Sequence, residues 1–251
     1  MLKKLKSASK TLIFPLFPPA VKAAVFGALL FWISAQRSFL ILLLFLAAAF
    51  YFYFRKLLEW RKFFYAFLVL IFYSLIVINF FNNQFFSVVS SIFFAALFFM
   101  ILGIKNFVFI DRETIFNFLY WILYFVASIV FFASDKTGTL NLLGYSILTF
   151  FVFYILSKES LDFLYSEISV KKRRLLAFGV SFITIQAAHI IRWLPLGFLN
   201  SAVMAALLII VLEDLISYHL KGALNRQIII KNAVVLLVMV FLIFLAVRFQ
   251  I

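Results

Sequence analysis

Apolar runs of membrane length, separated by brief polar interruptions, make up most of this chain. They fall at 18–35, 38–54, 63–81, 85–104, 114–133, 140–157, 175–194, 198–216 and 231–248. A helix needs about 20 apolar residues, within a range of about 17–25, to cross the hydrocarbon core of a bilayer. The runs are too long and too continuously apolar for barrel strands, which alternate in and out over about 10 residues. Only helices and closed barrels satisfy every backbone group in lipid. The pattern therefore predicts an all-α, polytopic integral membrane helix bundle with about nine transmembrane helices. The first run is the weakest, since Pro18, Pro19 and Lys22 interrupt it; a lysine there can snorkel to the interface.

Composition sharpens this expectation. Hydrophobic residues make up 67% of the chain and charged residues 13%, about half the charge a water-soluble domain carries. The apolar surplus must face lipid. The net charge of +14 would fit nucleic acid if the basic residues shared one polar face. They lie instead between apolar runs, so no nucleic-acid partner is expected. With the N-terminus in the cytoplasm, alternating spans put 19 of the 23 Lys and Arg residues on the inner side, leaving Arg37, Lys136, Arg192 and Arg248 outside. That bias in short loops is the positive-inside signature. It places the C-terminus outside and predicts a multi-pass protein of the cell (cytoplasmic) membrane. The basic residues Lys3, Lys4, Lys6 and Lys10 read as an uncleaved cytoplasmic start, with no convincing cleavage site after them.

The chain reads as a single transmembrane domain over 1–251. Within it, 32 of the 38 phenylalanines precede residue 166, which marks sub-bundles over 18–157 and 175–248. A cytoplasmic basic segment, 158–174, joins them. There Leu161, Phe163, Leu164 and Ile168 alternate with Glu159, Asp162 and Glu167 at helical spacing, as in an amphipathic helix lying on the membrane. Continuation of the sixth span into the cytosol fits the same residues. Lys171, Lys172, Arg173 and Arg174 would attract anionic lipid headgroups.

Candidate chemistry concentrates in a helical hairpin over 171–219. Gln186, His189 and Arg192 are three residues apart, hence on one helical face. The hairpin turns at Pro195-Leu196-Gly197 and returns to Glu213-Asp214. Ionisable groups within a span are costly and mark functional sites by default. Counting at about 1.5 Å per residue puts His189 and Arg192 towards the outside and the acids near the inner boundary. One catalytic dyad within the hairpin is thereby excluded. Gln186, His189 and Arg192, with Arg37, form a candidate outward-facing substrate patch, against the plainer reading of a snorkelling arginine. Glu213 and Asp214 are candidate proton-coupling groups, against ion pairing with Arg173, Arg174 or Lys221. Ser87, Ser91 and Ala95 recur every four residues in the fourth run, a small-residue stripe suited to close helix packing.

Asp135-Lys136-Thr137-Gly138-Thr139-Leu140 resembles the phosphorylation motif of P-type ATPases. That chemistry requires Mg²⁺ and a cytosolic nucleotide domain, and the charge pattern puts this string outside, so it reads as a tight turn. Gly179-Val180-Ser181-Phe182 resembles the nucleophile motif of rhomboid-type proteases, but His189 shares its helix where that family supplies the base from another. Glu213-Asp214 resembles part of the motif of CAAX-type intramembrane proteases, without the arginine expected next. Cysteine is absent and only two histidines occur, so no metal site and no cofactor is expected. Three functions remain open. The first is a non-enzymatic membrane component or accessory subunit that partners other membrane proteins. The second is a small carrier or channel for an anionic or lipid-linked substrate. The third is an intramembrane lipid-modifying enzyme with His189 as base.

Overall fold

The computed structural model describes the backbone of residues 2–55, 63–80, 83–106, 108–134 and 138–248, and the side chains of these apart from 2–16, 80, 138–142 and 246–248. The described residues form nine α-helices and no strand: α1 (Leu2–Gln36), α2 (Phe39–Phe54), α3 (Phe64–Phe80), α4 (Gln84–Lys105), α5 (Arg112–Ala133), α6 (Gly138–Leu164), α7 (Val170–Arg192), α8 (Phe198–Leu220) and α9 (Arg226–Arg248). Six helices are long and apolar enough to cross a membrane, over Phe17–Gln36, Gln84–Lys105, Arg112–Ala133, Val170–Arg192, Phe198–Leu220 and Arg226–Leu245. This architecture is consistent with a helical membrane bundle. By compactness the chain divides into two units, Met1–Leu119 and Tyr120–Ile251. The division falls inside α5.

In the first unit, α1 and α4 pack closely because small residues meet at their crossing. A methyl group placed on Gly27 would stand 2.9 Å from Ala95 Cβ and 3.2 Å from the Ser91 carbonyl oxygen. Ser87 and Ser91 are buried, as the four-residue stripe predicts. Aromatic rings fill the space between the helices. Phe26 stacks on Phe98 at 4.4 Å between centroids, and Tyr53 stacks on Phe67 at 4.2 Å. The phenylalanine excess is thus partly core, although Phe39, Phe72 and Phe85 are exposed. Side chains close several helix ends. Asn83 caps α4, its Oδ1 accepting from Phe85 N at 3.0 Å. The buried Lys105 donates to the Tyr53 carbonyl at the end of α2 and lies 3.8 Å above the Tyr53 ring. The last carbonyls of a helix lack intrahelical partners, and a cation there suits the dipole.

In the second unit, α7 and α8 form the expected hairpin, with Trp193 largely exposed at its tip. Phe131, Phe132, Ala188, Ile191, Ala202 and Ala205 form a core cluster beside the turn. The helix α6 continues past 157 to Leu164, and a short break precedes α7 at Val170. The helix of the sixth apolar run therefore extends without interruption through Glu159 and Asp162. Similarly α8 reaches Leu220, four residues beyond the end of its apolar run. It stops where Gly222 adopts φ +66. There Gly222 N donates to His219 O at 3.1 Å and Ala223 N to Tyr218 O at 3.0 Å, the paired bonds of a Schellman motif. The outermost helix of the unit, α9, buries only 6% of its apolar window, so nearly all of its surface is left to lipid or another helix.

Candidate functional site

Polar side chains converge in the second unit on α5, α6 and α8. Tyr120 and Tyr124 are four residues apart on α5, so both face the same way, one turn apart. Both are fully buried. The Tyr120 hydroxyl donates to Glu159 Oε2 on α6 at 2.6 Å. The Tyr124 hydroxyl donates to Glu213 Oε1 on α8, and it lies 3.0 Å from Ser157 Oγ on α6. Below them, Tyr165 Oη and Ser217 Oγ share a further hydrogen bond. Bonds from a hydroxyl to a carboxylate are charge-assisted and roughly twice as strong as neutral ones. The cluster ties α5 to α6 and to α8.

The two acids of the hairpin part company. Successive helical residues point about 100° apart, so Glu213 turns to Tyr124 while Asp214 turns to α9. There Asp214 Oδ2 accepts from Asn232 Nδ2 at 3.0 Å. The expected ion pair with Arg173 is replaced, because Arg173 already serves the end of α6. Its Nε lies 3.1 Å from Asp162 Oδ1, and its Nη1 donates to the carbonyls of Tyr165 at 3.2 Å and Asp162 at 3.5 Å. Of the basic block, Arg173 is buried, whereas Lys171, Lys172 and Arg174 are exposed. The two acids also sit deeper in their helix than the apolar run implied: Glu213 is seven residues from the end of α8, about 10 Å along its axis.

The outer patch is less coherent. Gln186 is exposed, while His189 and Arg192 are half-buried. The His189 ring packs edge-on against Phe131, with centroids 5.8 Å apart and planes at 88°. Its environment is aromatic packing as much as a polar face. Arg37 belongs to the first unit, exposed in the two-residue link between α1 and α2 with φ 45. Asp135, Lys136 and Thr137, the start of the string resembling the ATPase motif, lie outside the described residues; α6 begins at Gly138. Among the described residues, no group of three or more His, Cys, Asp or Glu side chains is placed to hold a metal ion.

Sequence reasoning missed Tyr120, Tyr124, Ser157 and Glu159. Hydropathy counts a tyrosine as apolar, which hid two hydroxyls inside a span, and Glu159 was assigned to the cytosol with the rest of 158–174. The available signal was the Tyr-x-x-x-Tyr spacing on an apolar helix together with Ser-x-Glu near the end of the next one. Comparison with known proteins finds no matching family model, no similar curated protein and no similar solved structure. The fold and the cluster thus define a class, an all-helical chain with membrane-length apolar helices joined by buried polar ties, and nothing narrower.

Proposed function

We propose that this chain is a non-enzymatic integral component of the cytoplasmic membrane, an accessory or scaffolding subunit that crosses it nine times with its N-terminus inside and C-terminus outside. The observation that carries this reading is the use made of the buried polar groups of the second unit. Tyr120 with Glu159, Tyr124 with Glu213, Asn232 with Asp214 and Arg173 with Asp162 each join neighbouring helices or close a helix end. These contacts hold the bundle together. Interhelical bonds of this kind are worth about 0.6 kcal/mol on average in membrane proteins, with a maximum near 1.7. The orientation rests on the charge bias of the loops, and the exposed apolar surface of α9 suits a helix that lies against a partner. Mild solubilisation from the native membrane should co-purify a second membrane protein in fixed stoichiometry. A monodisperse chain that carries no partner and turns over or transports a solute would overturn the proposal.

A second reading, a proton-coupled carrier, is favoured by one feature. Ser157, Tyr124 and Glu213 form a chain of hydroxyls ending on a carboxylate at depth in the helices, and such chains serve as proton relays in pumps and transporters. In proteoliposomes enclosing a pH-sensitive dye, this reading expects proton flux that Glu213→Gln abolishes. Flux equal to that of empty liposomes would remove it.

A further inference from the structure

The hairpin of the second unit leaves a narrow groove of about 280 Å³ between α7 and α8. Leu176, Gly179 and Ile183 line it at helical spacing on α7, and Leu212, Leu215 and His219 do so on α8. Each set runs about 10 Å along its helix. Gly179 gives the groove its depth, because nothing lies within 4 Å of where its Cβ would stand. Successive helical residues turn by about 100°, so Asp214, two residues after Leu212, faces about 200° away from the groove. There it holds Asn232 of α9. The helix α9 therefore packs on a different side of α8, and the described lining comes from α7 and α8 alone.

The two ends of the groove differ. The start of α7 lies beside the end of α8, since the hairpin is antiparallel. At that end the apolar lining gives way to nitrogen donors. His219 closes the groove on α8. On α7, the line through Gly179 and Leu176 continues to Lys172, four residues before Leu176 and hence on the same face. Both side chains are exposed. An ammonium and an imidazole at the mouth of an apolar slot suit a phosphate attached to an acyl chain. The length agrees, because half of a hydrocarbon core of about 30 Å is about 15 Å, and one leaflet's acyl chain covers that depth. A partner helix laid here would have to bury Lys172 and His219, which is costly unless it brings its own acids. A lipid brings the counter-charge itself and leaves the cation at the wet interface.

We propose that this groove seats one anionic phospholipid, with an acyl chain along Leu176, Gly179 and Ile183 and its phosphate at Lys172 and His219. A basic block attracts anionic headgroups in general; the groove gives one such lipid a fixed place. This seat requires the hairpin to lie in a membrane and is independent of the accessory role proposed above.

The full chain, purified in neutral detergent, is titrated with phosphatidylglycerol and with phosphatidylcholine of the same acyl chains, and bound lipid is read by native mass spectrometry. Phosphatidylglycerol should bind about fivefold more tightly or better, the factor that one surface cation contributes towards an anionic headgroup. Lys172→Gln/His219→Gln should abolish that preference. The control Arg174→Gln/Lys231→Gln removes two exposed charges away from the groove, since Arg174 points about 200° from Lys172 and Lys231 lies on α9. It should lower the preference by less than about twofold, although it removes at least as much charge. Gly179→Leu keeps every charge and fills the groove, and should weaken both lipids about tenfold, the equivalent of two buried methylenes. Should the groove double variant not fold, Gly179→Leu is read by itself, its thermal melt showing that it is folded. Equal affinity for the two lipids, equal losses in the two double variants, or unchanged binding to folded Gly179→Leu protein would overturn the proposal. So would a lipid-free dimer that Gly179→Leu dissociates, which assigns the groove to a second copy of the chain.

Discussion

Tyr124 is the residue on which the second unit's polar ties depend most, since its one hydroxyl serves both Ser157 and Glu213. Removing it leaves a half-buried carboxylate short of a donor, and an unsatisfied buried group costs about 1–3 kcal/mol. Tyr124→Phe should therefore lower stability in detergent by about 1–2 kcal/mol, read from denaturant unfolding. A double-mutant cycle with Glu213→Gln should return a coupling of about 0.6–1.7 kcal/mol; additive losses would mean the bond contributes nothing. Asp111 gives a residue-scale prediction outside the spans. Hydrogen bonds from the Thr114 side chain and backbone hold its carboxyl below the usual aspartate value, the backbone one at 3.1 Å from Thr114 N to Asp111 Oδ1. A depressed value favours the folded state above the ordinary aspartate range, and that contribution is lost as pH falls through the folded value. Thr114→Val should raise the Asp111 titration midpoint, followed by its carboxyl NMR shift. An unchanged midpoint would show that the hydroxyl plays no part. Neither site could be read in full from the chain. Asp111 three residues before Thr114 is a recognisable cap signal, whereas the partner of Tyr124 lies 89 residues away, beyond any local pattern.

Elements carry a different kind of information. The α1–α4 crossing was legible as a small-residue stripe on α4, while its counterpart Gly27 was not, because no local rule says which helix a stripe will meet. The crossing predicts opposite signs for two otherwise identical substitutions. Within a helix, Gly→Ala normally stabilises by about 0.5–1 kcal/mol. Gly179→Ala should show that gain, since nothing lies within 4 Å of the added methyl. Gly27→Ala should instead destabilise, by about 1–3 kcal/mol, because Ala95 Cβ and the Ser91 backbone stand in the way and neither is a flexible side-chain end. Thermal melts of the two variants shifting in the same direction would contradict the packing described. The start of α7 is an element in tension. Lys171, Lys172 and Arg174 sit exposed in its first turns, where the dipole disfavours cations by about 0.3–1 kcal/mol each. In the proposed orientation their placement makes sense as an inner-side anchor. Changing all three to Gln should leave the helix at least as stable while raising the fraction of chains inserted with α7 inverted, measured by protease protection.

At the scale of the whole molecule, the nine helices of the described residues match the nine apolar runs one for one. The correspondence has a simple cause. In lipid each span must satisfy its own backbone, so its length is written locally in hydropathy. Helix ends escaped that rule wherever polar residues continued the helix past the apolar run. The helix α8 ran on through Ser217, Tyr218 and His219 to the Gly222 stop, and α6 ran on through Glu159 to Leu164. Those extensions carry Glu159 and Ser217, two of the polar ties. Part of the side-chain network was therefore hidden in the helix extensions that a hydropathy reading discards, and the rest in tyrosines that it counts as apolar. Arg173 shows the same point, being read as one more headgroup-facing cation but folded back to close α6.

The orientation and crossing number are the central claim, and the absence of native cysteine makes them directly measurable by labelling single introduced cysteines in intact cells with a membrane-impermeant maleimide. Cysteine at Ser38, Gly197 and the C-terminal Ile251 should label from outside, while cysteine at Asn106, Ser169 and Gly222 should label only after the membrane is permeabilised. Labelling of Ser169 or Gly222 positions in intact cells, or protection of Ser38 and Gly197 together, would contradict the nine-span, N-terminus-inside account.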